Sequence, residues 1–173
     1  MSDIPDQLTL KVNRDREGKR DILFRRIALS SILVLLALGL LNVFGQRPAT
    51  ATADSSAAKL KLYAPERVRG GLIYEARFTI EARRELKEAT LVLAPGWAEG
   101  TTINTIEPSP VGEASRNGDL ALELGRIPAG DRHLLFMQLQ VNPTNVGRRS
   151  QDVELFDGDE LLATIDRTIT IFP

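Results

Sequence analysis

The chain has 173 residues, 43% of them hydrophobic and 26% charged, and its 22 basic and 23 acidic residues leave a net charge of −1. Bases and acids are interleaved rather than segregated, which argues against nucleic acid as a partner. The sequence contains no cysteine, so thiolate catalysis, cysteine zinc sites and iron–sulfur clusters are excluded, and an exported domain must fold on its core alone.

Residues 1–24 read as a polar cytoplasmic tail. Leu8, Leu10 and Val12 alternate with Thr9 and Lys11, a strand-like pattern too short to stand alone in water. The tail is therefore expected to be disordered, or to pair with the sheet edge of a cytoplasmic partner.

Residues 25–46 read as a transmembrane helix. From Ile27 to Phe44 no residue is charged and only Ser30, Ser31 and Asn42 are polar. Such a run rises about 27 Å as a helix, close to the roughly 30 Å hydrocarbon core of a bilayer. Helix is the conformation that satisfies its backbone in lipid. Residues 1–26 carry seven bases, including Arg25 and Arg26 at the membrane boundary, and beyond the span only Arg47 lies close. These arginines set the expected orientation, N-terminus cytoplasmic and C-terminal domain outside. A cleaved signal peptide is the rival: Ala49-Thr50-Ala51 and Ala51-Thr52-Ala53 fit small-residue cleavage sites, and Arg25-Arg26 invites a twin-arginine reading. The length of the apolar run and of the charged segment before it favour retention.

Residues 47–58 read as a flexible linker, and residues 59–173 as an extracytoplasmic domain. From Lys59 onward the hydrophobic period is two. Leu60 and Leu62 alternate with lysines; Tyr74, Ala76, Phe78, Ile80 and Ala82 alternate with Glu75, Arg77, Thr79, Glu81 and Arg83, a strand with one wet face. Further strands are expected over Ala89–Leu93, Thr101–Ile106, Leu120–Leu124, Leu135–Val141, Val153–Leu155 and Leu161–Phe172. Between them Pro95-Gly96, Pro108-Ser109-Pro110 and Asn117-Gly118 mark turns, and Asp157-Gly158 is a hairpin signal. Ile127-Pro128-Ala129-Gly130 suits a type I turn. Seven or eight strands without a helix predict an all-β, Ig-like antiparallel sandwich. Arg167 falls among inward-facing isoleucines and is expected at an edge or bulge, where an inward charge discourages aggregation.

No residue set announces chemistry. His133, the single histidine, reads as an ordinary sheet residue rather than a general base. Nucleophile-elbow, phosphate-loop and zinc-protease motifs are absent. Asp152, Glu154, Asp157, Asp159 and Glu160 offer oxygens for calcium, but their spacing is not that of an EF-hand, and a solvated hairpin tip explains them better. No catalytic residue, metal site or cofactor is expected. Trp97 is a candidate either for a buried cap of the sandwich or for an exposed partner anchor. Arg148 and Arg149 are further candidates for partner binding.

YEARFTIEA, the strand ending in APGW, and LALELGRIPAGDRHLLFMQLQV together resemble the Ig-like modules of bacterial surface proteins, including cell-adhesion-related domains. Gly125, Pro128 and Gly130 anchor the likeness, which covers Tyr74 to Ile171. The resemblance implies a β-sandwich of binding type. Such modules usually recur in tandem, whereas here one copy follows a membrane helix. The expectation is a non-enzymatic, single-pass protein of the bacterial cell envelope that serves as an accessory or assembly subunit. It would be surrounded by membrane lipid at the helix and bound to an integral membrane protein complex. The alternative is a free-standing adhesion or glycan-binding module, released if the helix is cleaved.

Overall fold

The computed structural model describes residues 10–43 and 45–173, which divide into two units, 1–43 and 44–173. In the first, helix α1 runs from Leu10 to Leu40 over 31 residues, and its stretch Arg20–Leu40 is long and apolar enough to cross a membrane. Leu10 and Val12 are thus helical rather than extended, while Leu8 and Thr9 lie outside the described residues. Lys, Arg, Glu and Leu are good helix formers, so a helix nucleated in the apolar run propagates back through them at little cost.

The helix stops at Leu40, short of the expected boundary at residue 46, because it is capped. Asn42 takes a left-handed backbone (φ 52°). Its N–H donates to the Gly39 carbonyl at 2.9 Å, and that of Val43 to the Leu38 carbonyl at 3.1 Å. This paired closure is the Schellman arrangement, which occupies carbonyls a helix end otherwise leaves open.

The second unit is all-β. Its strands are β1 (Pro48–Asp54), β2 (Ala58–Pro65), β3 (Arg67–Arg69), β4 (Ile73–Ala82), β5 (Leu86–Leu93), β6 (Thr101–Glu107), β7 (Gly112–Arg116), β8 (Asp119–Ile127), β9 (Arg132–Val141), β10 (Gly147–Ser150), β11 (Val153–Asp157), β12 (Glu160–Ile165) and β13 (Thr168–Phe172). Two five-stranded antiparallel sheets, in the orders β1-β2-β4-β9-β6 and β12-β11-β5-β8-β7, form an Ig-like sandwich. A three-stranded sheet, β10-β13-β3, adds one parallel pairing, β13 with β3.

The core is the inward phase of these strands. Leu60, Leu62, Phe78, Ile80, Leu135, Met137 and Leu139 of the first sheet meet Leu91, Leu93, Leu122, Val153 and Leu155 of the second, all fully buried or nearly so. Val68, Ile169 and Ile171 of the small sheet join the same cluster. Burying each such side chain is worth about 1.5–3 kcal/mol, which is how the domain dispenses with a disulfide.

Several expectations need correction. Residues 48–54, read as linker, are a strand paired with β2 from Pro48↔Pro65 to Asp54↔Lys59. Their alanines and threonines lack bulk, yet Ala51 and Ala53 pack on the core. The short strands β3, β7 and β10 carry too few apolar residues to declare themselves. The single strand expected over 161–172 is two, because the chain leaves the second sheet at Asp166-Arg167 and enters the small one. The turn after β8 sits one residue later than expected. Asp131 N–H closes it on the Pro128 carbonyl at 3.1 Å, with Gly130 at φ 84°, where a glycine serves best. The β11–β12 hairpin forms where Asp157-Gly158 signalled it, but one residue later: Asp157 already faces Glu160 in the ladder and the two loop residues are Gly158, at φ 60°, and Asp159.

Candidate interaction surface

The outward phases of the two sheets differ. On the second sheet Val92, Ala121 and Phe156 form a small buried cluster. Arg116 closes it, its guanidinium 3.9 Å from the Phe156 ring centroid and held by the Gly158 carbonyl at 2.9 Å and Asp159 at 3.1 Å.

On the first sheet outward apolar residues are exposed or half-buried. Register places Thr50, Tyr63, Arg77, Phe136 and Glu107 in one lateral row across β1, β2, β4, β9 and β6. The Arg77 guanidinium lies between two rings, 4.9 Å from the Phe136 centroid and 5.8 Å from that of Tyr63. Glu75 on the same strand holds it at 3.2 Å. The next row is Thr52, Lys61, Thr79 and Leu134, and the one after it alternates in sign: Asp54, Lys59, Glu81, Arg132. Arg132 and Glu81 pair at 3.2 Å. Tyr63 is 41% and Leu134 39% exposed, and these rows line a shallow groove of about 650 Å³.

This surface combines what recognition sites use: aromatic rings with a polar tip, a guanidinium already fixed by stacking, and a charged rim. The sequence did carry a sign of it. In RHLLFMQLQ, Leu134 and Phe136 occupy the phase that should be wet, which a one-sided sheet does not require.

Trp97 takes the capping role. Pro95–Trp97 form a 3₁₀ turn after β5, and the indole is fully buried, 5.4 Å centroid to centroid from Phe78. It presents no surface to a partner. The turn passes so close to β10 that a Cβ on Gly96 would run into the Ser150 carbonyl. Arg148 and Arg149 are on β10, so the three sequence candidates are neighbours, but only the arginines reach solvent.

Beside Trp97 lies a buried polar group. Gln151 is fully buried and donates to the Tyr74 hydroxyl at 2.9 Å. Burial raises the Tyr74 pKa, with the Gln151 hydrogen bond and Arg167 opposing. Arg167, in the crossing between β12 and β13, donates to the Pro65 carbonyl at 2.7 Å. Its backbone N–H donates to Asp152 at 2.8 Å. Burial lowers its pKa, with Tyr74 and Glu66 opposing. Every residue here ties one strand to another.

His133 lies in β9 opposite Ile80, and burial alone lowers its pKa. The hairpin acids are drawn to different partners. Asp157 accepts the N–H groups of Lys87 and Glu88 at 2.8 and 2.9 Å. Glu160 pairs with Arg84 at 2.6 Å, Asp159 with Arg116, and Asp152 with the Arg167 backbone. Among the described residues no group of three or more His, Cys, Asp or Glu side chains is placed to hold a metal ion.

No protein-family model matches the chain, and no curated protein matches it. Among solved structures, it is similar to the CARDB domain of a Pyrococcus furiosus protein in solution, at 9% identity and TM-score 0.43 over 74% of this chain and 98% of that one. The crystal structure of that domain with di-metal ions is similar at 10% identity and TM-score 0.40 over 74% and 96%. AvmM, which catalyses macrocyclization in alchivemycin A biosynthesis, is similar at 8% identity and TM-score 0.41 over 75% and 90%. Likenesses this distant lend nothing to function, and the fold is assigned from the strand pairing itself.

Proposed function

We propose that this is a non-enzymatic, single-pass membrane protein whose Ig-like domain binds another protein outside the cytoplasmic membrane, as an accessory or assembly subunit of a larger membrane complex. The observation that carries the reading is the open Tyr63–Arg77–Phe136 row on the first sheet. Aromatic and arginine side chains held in a fixed geometry lose little entropy on binding, so they make efficient anchors. The apolar stretch of α1 supports retention in the membrane, with Arg25 and Arg26 holding the N-terminus in the cytoplasm.

The test is affinity purification of the C-terminally tagged full chain from membranes in mild detergent, beside a Tyr63→Ser/Phe136→Ser double variant. A stoichiometric integral membrane protein retained by the wild type and lost by the variant is the expected result. A chain recovered alone and starting near Ala51 would replace this reading with a secreted binding module. Equal retention by both chains would move the binding surface elsewhere, with Arg148 and Arg149 next to be substituted.

A further inference from the structure

Five of the sheet edges in the second unit carry a device that discourages pairing with another chain. Strand β6 has a register break around Asn104, and β7 carries Glu113 and Arg116. Strand β12 is bulged at its pairing with β11 and begins with Glu160. In the small sheet, β10 carries Arg148 and Arg149, and β3 carries Arg67 and Arg69. Charges and bulges of this kind are how edges are ordinarily blunted.

Strand β1 carries such residues only at its two ends, Pro48 and Asp54. Between Pro48 and Asp54 it reads Ala-Thr-Ala-Thr-Ala, with no charge and no irregularity in its pairing to β2.

Its free hydrogen-bonding groups follow from the register. Arg47 accepts from the Glu66 N–H at 3.4 Å, and the Ser55 N–H donates to the Ala58 carbonyl at 3.0 Å. Both pairs continue the β1–β2 register, so the odd-numbered residues of β1 are the ones that exchange hydrogen bonds with β2. In an antiparallel ladder the alternate residues then point their N–H and C=O groups the other way. The outer edge therefore offers both groups of Thr50, Thr52 and Asp54, and the carbonyl of Pro48, whose nitrogen has no hydrogen to give.

We propose that this edge pairs with the same edge of a second copy of the chain, antiparallel about a two-fold axis at Ala51. The inference does not rest on the binding surface described above. The sequence is a palindrome about Ala51, and full overlap of the two strands sets Thr50 opposite Thr52 of the other copy, twice. These are the residues with outward hydrogen-bonding groups, so each pair closes two backbone bonds, and each Asp54 N–H adds one to the Pro48 carbonyl opposite. The faces match as well: threonines meet threonines on the solvent side, a favourable cross-strand pair, and alanines meet alanines on the core side. At the axis itself the two Ala51 residues form a non-hydrogen-bonded pair, the closer type, with Cα atoms about 4.5 Å apart. The smallest chiral side chain stands where room is least. The contact is isologous and closes on itself, giving a dimer rather than a fibre, and it continues the first sheet through both copies.

Because the chain contains no cysteine, single cysteines report the register directly. The full-length protein in detergent is examined by mild oxidation and by light scattering. Ala51→Cys is expected to give a covalent dimer, since the paired Cα separation falls within disulfide range. Ala49→Cys and Ala53→Cys should each fail alone and link when mixed. Thr52→Pro removes an N–H that β2 does not use, so the fold should survive, by circular dichroism and melting temperature, while the dimer is lost. A monomeric wild type overturns the proposal. So does a dimer that persists in Thr52→Pro, or one in which Ala51→Cys stays unlinked while other positions link.

Discussion

The guanidinium of Arg167 lies 5.6 Å from the ring centroid of Trp97 and reaches past it to the Pro65 carbonyl at 2.7 Å. One side chain thus covers the buried indole and ties the β12–β13 crossing to the end of β2. Truncating Arg167 to Ala leaves that carbonyl without its charged donor and opens the indole. The cost is expected to be about 1–3 kcal/mol, as for other hydrogen bonds to charged groups. Lys in its place should restore less than half, because an ammonium cannot stack and reach together. Trp97→Ala removes the buried ring itself and is expected to cost about 3–5 kcal/mol. Urea unfolding followed by far-UV circular dichroism measures all three. A red shift of the single tryptophan's emission in Arg167→Ala would show that the cover is gone.

Tyr74 and Gln151 form a buried pair whose partners are each other, at 2.9 Å. Removing one member strands the second, so Tyr74→Phe alone should destabilise by about 1–3 kcal/mol. Removing both is a different matter. The double variant Tyr74→Phe/Gln151→Leu replaces the pair by apolar atoms of similar shape and is expected to cost less than the two single changes together. A double-mutant cycle in urea supplies the coupling, and simple additivity would mean the hydrogen bond contributes nothing.

The strands that a reader of the sequence finds are those with large apolar residues in strict alternation. β4 and β9 declare themselves through Phe78, Ile80, Leu135 and Met137, because burial against a second sheet demands that phase. β1 and β10 do not. Ala51 and Ala53 bury too little to signal, and Arg148 and Arg149 signal the opposite of a strand; both strands exist because a neighbour supplies the pairing. Arg167 shows the same limit from another side. Its placement near inward isoleucines was legible, but the break at Asp166-Arg167 is decided by two sheets competing for one stretch of chain. The interaction surface was half legible, since Leu134 and Phe136 sit out of phase in the sequence. Only the three-dimensional register places Arg77 between Phe136 and Tyr63.

His133 gives the domain a pH dependence of definite sign. Burial lowers its pKa from the ordinary value, about 6.5 in an unfolded chain. The unfolded state therefore binds more protons than the folded one between the lowered pKa and about 6.5, and in that window stability rises with pH. The full contribution is present above about 6.5 and is lost as the pH falls through the lowered value. Unfolding free energies measured from pH 7.5 to 5.5 should decline for the wild type and decline less for His133→Asn, whose side chain does not titrate. Equal slopes in the two chains would mean that His133 is solvated when folded.

Binding and stability should separate cleanly on the first sheet. Phe78, fully buried on the inward face of the strand that also carries Arg77, is expected to lose about 3–5 kcal/mol on truncation to Ala. Tyr63, which is exposed, and Phe136, which is half-buried, lie on the outward side of the same sheet and should lose less, about 1–2 kcal/mol. Arg132 pairs with Glu81 at 3.2 Å, but both side chains are about half exposed, so Arg132→Ala should change stability by no more than about 0.5 kcal/mol. Melting temperatures and partner retention measured on the same preparations then give two independent columns. If Tyr63, Phe136 and Arg132 lower retention while shifting melting far less than Phe78 does, the row acts by recognition. If retention falls only in step with melting, its aromatic residues are part of the fold and the partner is held elsewhere.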